Sequence, residues 1–122
     1  MTMKPYLALL AAMIAAPALA QTQGAMNADA ARQAEAADRA LNTRYAGIVA
    51  RVSPATKLLL RDAQRSWIAF RDRQCAFEAS GVKGGSAYPM VHSGCLARVT
   101  KERTRDLTRF GRCEEGDLSC PR

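Results

Sequence analysis

The side chains best equipped for chemistry are four cysteines, Cys75, Cys95, Cys113 and Cys120. Their spacing contains no C-x-x-C pair and His92 is the only histidine, so a tetrahedral zinc site lacks its ligands and no metal is expected. An even number of cysteines instead predicts two disulfides, with three pairings open. His92 has no serine or free thiol close by in sequence to activate, and reads as a helix-surface residue. Asp72, Glu78, Glu102 and Asp106 are the carboxylates a glycoside-hydrolysing pair would draw on. Such a pair stands about 5–9.5 Å apart across a sugar-sized cleft, and a short helical chain offers little room for one. A non-enzymatic protein without a cofactor is expected.

The glycines in Gly81–Ala87 (GVKGGSA) do not form a phosphate cradle, because no strand pattern precedes them and no Lys-Ser/Thr pair follows. The segment reads first as a connector. As a loop tip able to enter a cleft, it also supplies the candidate partner-binding residues: Lys83, Gly84, Gly85, Ser86 and the neighbouring Tyr88.

Three helices must position these groups. In the first, about Asn27 to Val52, Ala34, Ala37, Leu41, Tyr45, Ile48 and Val52 recur at steps of three and four and make one apolar face. Asn27 is a potential cap. Ser53-Pro54 ends that helix and starts the next, with Ser as N-cap and Pro in the first turn, where its missing N–H costs nothing. The second helix runs from Pro54 to about Ala79. Leu59, Leu60, Ala63, Trp67, Phe70 and Gln74 trace its inner side, with Ile68 beside them. Ser80-Gly81 stops it, Gly suiting a left-handed turn. The third helix is capped by Ser86 or Tyr88, has Pro89 in its first turn and reaches Phe110, with Leu96, Val99, Arg103, Leu107 and Phe110 on its stripe. Gly111 ends it. The tail, Arg112 to Arg122, is bounded by cysteines and acidic at Glu114, Glu115 and Asp117. There is no strand alternation, so the expected fold is all-α, three antiparallel helices stapled by disulfides.

Geometry favours one pairing. Cys75 lies about a turn before the end of helix two and Cys95 about one and a half turns into helix three, at similar heights if the two are antiparallel. Cys113 and Cys120 then close a short loop of their own. Each bridge is worth roughly 2.5–3.5 kcal/mol in chain entropy.

The N-terminus implies the compartment in which such bridges form. Lys4 precedes an apolar run, Leu7 to Ala16, and Ala18-Leu19-Ala20 is an A-x-A cleavage site. Residues 1–20 are therefore read as a secretory signal peptide. The run falls short of the roughly 20 residues a spanning helix needs, and no cysteine follows the cleavage site for lipid attachment. The product, residues 21–122, is one domain, periplasmic or secreted, without a transmembrane segment. The whole chain carries a formal charge of +7, so loss of Lys4 leaves +6. That charge keeps a surface soluble and attracts anionic material of the cell envelope. Basic residues spread along the chain without interleaved aromatics argue against nucleic acid.

Three pieces stand out together: Leu41-Asn42-x-x-Tyr45; Gln64-Arg65-x-Trp67-Ile68-x-Phe70-Arg71-Asp72-x-x-Cys75; and Gly84-Gly85-Ser86, Cys95-Leu96 and Thr100-x-x-Arg103-x-x-x-Leu107. From about Met26 to Phe110 the chain resembles the LprI-like lysozyme-inhibitor family of small exported bacterial proteins. The resemblance implies a helical secreted domain, a protein partner and inhibition of lysozyme. Members often carry further cysteines near the position of Met26-Asn27-Ala28-Asp29, so the family's disulfide pattern does not transfer whole. Lysozyme sites depend on carboxylates, which makes Lys83 a candidate contact, whereas the basic charge of many lysozymes opposes encounter with a basic partner.

Within these pieces, Trp67 and Arg71 are four apart and share a helix face, as a cation–π pair requires. Arg103 sits on the apolar stripe of helix three and needs a partner. Asp72 is the expected one, Asp62 the alternative. Trp67, Arg71, Asp72 and Arg103 are therefore expected to lock helix two to helix three, with a partner-facing role for Arg71 or Asp72 as the rival reading. Two further functions compete with inhibition: a periplasmic scaffold that binds anionic envelope components through Arg-rich faces, and a helper of another protein.

Overall fold

The computed structural model describes residues 15–122, with side chains described from residue 22 on. Most of the expected leader, residues 1–14, lies outside the described residues. The chain forms α1 (Ala15–Val49), α2 (Pro54–Glu78), a single 3₁₀ turn (Ser80–Val82) and α3 (Tyr88–Phe110). No strand occurs among the described residues. The all-α, three-helix expectation holds.

α1 begins twelve residues earlier than the periodicity suggested. The segment before Asn27 is rich in Ala and Gln, both good helix formers. Asn27 is therefore no cap. It lies inside α1, accepts a hydrogen bond from Gln23 and donates Nδ2–H to the carbonyl of Ser86. α2 starts as expected: the Ser53 hydroxyl accepts from the N–H of Thr56, and Pro54 occupies the first turn. α3 has Ala87 at its cap with no side-chain bond, so neither Ser86 nor Tyr88 caps it. The left-handed glycine that turns the α2–α3 connection is Gly84 (φ 81°), not Gly81.

α2 runs antiparallel to both neighbours. Asn27–Ser86 at one end and Arg51–Gly111 at the other make α1 and α3 parallel, and Cys75–Cys95 and Gln64–Arg103 fix α2 in the opposite sense against α3. α3 packs far more extensively on α1 than on α2. Leu41 and Ile48 of α1 meet Leu107 of α3, which is 1% exposed, while Tyr45, Val52, Leu60, Trp67 and Phe110 cover the cluster. A second cluster forms around Cys75, Cys95 and Val99, and Trp67 borders both.

Both disulfides take the favoured pairing. Cys75 and Cys95 have Cα atoms 5.5 Å apart, and Cys113 and Cys120 5.7 Å apart. The tail folds back over the α1–α2 turn, where Ser53 and Thr56 donate their hydroxyls to the carbonyl of Arg122.

The rotation of α2 departs from expectation. Gln64 and Cys75 are its buried residues, with Leu60, Trp67, Arg71 and Gln74 half-buried. Leu59 and Phe70, expected inside, are 70% and 56% exposed, and Ala63 is also exposed. The disulfide sets this phase: once Cys75 faces α3, residues near it on the helical wheel go in and the Leu59–Phe70 side is left out.

Candidate functional site

Trp67 is the point at which the three helices are tied together. The Arg71 guanidinium lies 5.3 Å from its ring centroid and that of Arg103 6.0 Å. Arg71 then reaches across to Asp38 of α1 at 3.1 Å. Arg103 reaches from α3 to α2, donating Nε–H to Gln64 Oε1 at 3.0 Å. Burial pushes the Arg103 pKa below its ordinary value.

The expected Arg103–Asp72 pair does not form. Asp72 binds its own neighbour Arg71 at 2.9 Å, and the alternative, Asp62, binds Arg61. Asp72 sits one position beyond Arg71, about 100° round the helix, and faces solvent. A neutral amide serves where a carboxylate was expected, and Gln64, quoted in the motif but given no role there, is the residue the sequence reading missed.

The α2–α3 connection is built on a succession of tight turns, each closed by a hydrogen bond three residues back: Lys83 N to Ser80 O, Gly85 N to Val82 O and Tyr88 N to Gly85 O. A Cβ on Gly85 would come within 3.3 Å of the Val82 carbonyl, which makes glycine the fitting residue there. The Cys75–Cys95 bridge ties the flanking helices, and Asn27 holds Ser86 from α1. Lys83, Gly84, Gly85 and Ser86 are exposed at this tip, and Lys83 makes no ion pair among the described residues. Tyr88 is half-buried and stacks on His92, ring centroids 5.4 Å apart. That contact explains the half-burial of His92.

Beside the tip, Phe77 is 73% exposed near the end of α2. With Phe70 and Leu59 it recurs at steps of seven and eleven, so the three share one stripe of the helix. Large apolar side chains left in solvent on one stripe mark an interaction surface more often than scattered ones do.

The carboxylates weighed for hydrolysis are engaged elsewhere. Arg98 binds both Glu78 (2.7 Å) and Glu102 (3.3 Å), and Asp106 binds Arg109. Hydrogen bonds from Gln74 and Arg98 hold Glu78 below its ordinary pKa, the opposite of what a general acid needs. No group of three or more His, Cys, Asp or Glu side chains among the described residues is placed to hold a metal.

The sequence profile of a family described as lysozyme inhibitor LprI matches residues 15–107. The chain belongs to the LprI lysozyme-inhibitor family. An uncharacterized protein of Rhizobium meliloti (strain 1021) is 38% identical over 101 residues, covering 72% of this chain and 73% of the relative. No solved structure matches. The LprI match takes in all of α1 and α2, the loop and α3 as far as Leu107, so the Trp67 cluster and the Cys75–Cys95 bridge lie inside it and the Cys113–Cys120 loop beyond it. Two disulfides together with an LprI assignment indicate an extracytoplasmic protein, and no helix of the described residues is long and apolar enough to cross a membrane.

Proposed function

We propose that this protein is an exported, non-enzymatic inhibitor of lysozyme, directed to the periplasm or beyond by residues 1–20, that docks through the end of the domain carrying Phe77 and the Lys83 loop. The observation behind this reading is the juxtaposition in sequence of an exposed aromatic side chain with a lysine that makes no ion pair among the described residues, on a loop braced by a disulfide. Aromatic anchors with low rotamer freedom carry most of the binding energy at protein interfaces. Lys83, at a constrained tip, offers a cation to a cleft built around carboxylates, and because its loop is already held in shape, little ordering entropy is lost on binding. Gly84, Gly85 and Ser86 let the backbone approach closely, and Tyr88 closes the loop by donating its N–H to the Gly85 carbonyl. The LprI family description supports the class of partner.

The test is inhibition of cell-wall clearing by several lysozyme types, acidic and basic. Wild-type protein inhibits at least one. Phe77→Ala weakens that inhibition about 30-fold, equivalent to about 2 kcal/mol for an interface anchor, and Lys83→Ala weakens it as well, both with unchanged melting temperature. Absence of inhibition or binding with every lysozyme type refutes the reading.

A further inference from the structure

The face of the domain away from α2 has a different character. A groove of about 460 Å³ runs between α1 and α3, floored by Ala40, Gly47 and Thr104 and bordered by Thr43, Arg39 and Arg44. Further along, the Arg51 side chain donates to the carbonyls of Gly47 and Gly111, bridging the two helix ends. Arg44 and Arg51 converge there: Arg51 Nη2 and Arg44 Nη1 lie 3.2 and 3.6 Å from the position a Cβ on Gly111 would take. Lys101 and Arg105 of α3, close to Thr104 in sequence, and Arg112 just past the helix end are also exposed.

None of these six cations forms an ion pair among the described residues; the same holds for Lys57, Arg65, Arg73, Lys83 and Arg122, whereas Arg32, Arg61, Arg71, Arg98 and Arg109 are paired, so what sets the six apart is their gathering at α1 and α3. Like charges gathered without counter-charge repel one another and raise the local positive potential. Neutralisation by a bound anion relieves that repulsion.

The shape and chemistry of the groove define the ligand. Arg39 and Arg44 stand about 140° apart round α1, which rises about 15 Å from Arg39 to its end at Val49 with Arg51 two residues beyond, so the three cations are spread wider than one small anion covers. Guanidinium forks match phosphate oxygens in a bidentate fashion. A membrane surface fits poorly, because interfacial binding needs an apolar face and the exposed large apolar side chains are mostly on α2 (Leu58, Leu59, Ile68, Phe70 and Phe77), with Met26 and Leu118 lying elsewhere and none lining the groove. We infer that the α1–α3 groove binds a linear phosphate-bearing polyanion that contacts Arg39 and Arg44 at its borders and Arg51 beyond its end, independently of the docking end at Phe77 and Lys83.

Titration of the full-length mature protein with linear inorganic polyphosphate, followed by calorimetry at several salt concentrations, tests the inference. Wild-type protein binds, and log Kobs falls linearly with log salt. The triple variant Arg39→Gln/Arg44→Gln/Arg51→Gln loses at least ten-fold in affinity, and its salt slope shrinks by about 2, as the loss of three phosphate contacts requires. A control triple of equal charge, Lys57→Gln/Arg65→Gln/Arg73→Gln on α2, stays within two-fold of wild type. Melting curves establish that both triples fold; if the groove triple does not, Arg39→Gln and Arg44→Gln singly must each weaken binding more than Arg65→Gln does. Equal losses in both triples would reduce the effect to net charge and overturn the site. Absence of polyphosphate binding, or binding only to vesicles containing phosphatidylglycerol, would overturn it too. Lysozyme inhibition by the groove triple stays at the wild-type level.

Discussion

Gln64 Oε1 accepts the Nε–H of Arg103 at 3.0 Å, beneath the edge of the buried core and beside Trp67. This bond joins α2 to α3 without a second charge. A partly buried guanidinium has been taken out of water, and its position on the apolar stripe of α3 is tolerable because an amide oxygen and an aromatic face replace part of its hydration. Removing the acceptor therefore costs more than removing a surface ion pair. Gln64→Leu should lower stability by about 1.5–3 kcal/mol, the range for a hydrogen bond to a charged group, and a double-mutant cycle with Arg103→Met should show coupling above about 0.5 kcal/mol. Asp72→Ala breaks only an exposed pair and should change stability by less than about 1 kcal/mol. Chemical denaturation measures all three. A larger effect for Asp72 than for Gln64 would reverse the assignment.

Thr100 lies on α3 between the core clusters, 1% exposed, and its hydroxyl has no hydrogen-bond partner among the described residues. Thr104 and Thr108, one and two turns on, satisfy theirs by donating back to the carbonyls of Thr100 and Thr104. An unpaired buried hydroxyl is a net cost that an isosteric methyl removes. Thr100→Val is expected to raise stability by about 1 kcal/mol, read as a higher denaturation midpoint with an unchanged slope. A loss of stability would mean the hydroxyl is bonded in solution.

Much of the architecture could be read from residue order, and the errors share one physical origin. Ser53-Pro54, Pro89 and Gly111 mark helix ends by local backbone chemistry, and the structure places ends there. The pairing of Cys75 with Cys95 follows from helix rise. The same pairing also contains the rotation of α2, which apolar periodicity misjudged. Gln64 lies eleven residues before Cys75, three turns, and so must share its face, whereas Phe70 is about 140° and Leu59 about 160° away at 3.6 residues per turn. Taking Leu59, Ala63 and Phe70 as core assumed that every apolar stripe is buried; on α2 one stripe is buried and an adjacent one is not. The groove on α1 and α3 was not legible in advance, because it depends on α1 and α3 being parallel neighbours and on which arginines find carboxylates. The earlier extent of α1 was missed because residues 15–20 were read as leader and the apolar periodicity used to place the helix sets in only after Asn27.

The two bridges should differ in consequence. Cys75 is wholly buried and Cys95 5% exposed, at the centre of a cluster with Val99, Trp67 and Leu96. Cys113–Cys120 closes a short loop on an exposed tail. Chain entropy alone gives about 3.3 kcal/mol for the longer loop and about 2.5 kcal/mol for the shorter, a small difference. Packing widens it, since serine at a buried cysteine position adds an unsatisfied hydroxyl. Cys75→Ser/Cys95→Ser should lower the melting temperature much further than Cys113→Ser/Cys120→Ser, and only the former should loosen the Lys83 loop, seen as faster amide exchange over residues 80–87. Equal losses would show that the tail contributes to the core as much as the helix staple does.

Acid should find Glu78 among the groups that matter. Gln74 donates to its Oε1 at 2.8 Å, and Arg98 Nη2 reaches both carboxylate oxygens, at 2.7 and 2.8 Å. These bonds hold the Glu78 carboxyl below its ordinary pKa, and pairing with it makes Arg98 harder to deprotonate. A carboxylate with a depressed native pKa contributes stability that is present above about 4.5 and lost as pH falls through the folded-state value. Because Glu78 is solvent-accessible, screening by water and salt keeps the contribution modest. Melting temperatures of wild type and Glu78→Gln, measured from pH 7 down to pH 2 at low salt, should differ most above pH 5, with wild type the more stable, and converge at the acid end. High salt should shrink the gap at neutral pH. A gap that persists unchanged at pH 2 would assign the effect of Glu78 to packing rather than to its charge.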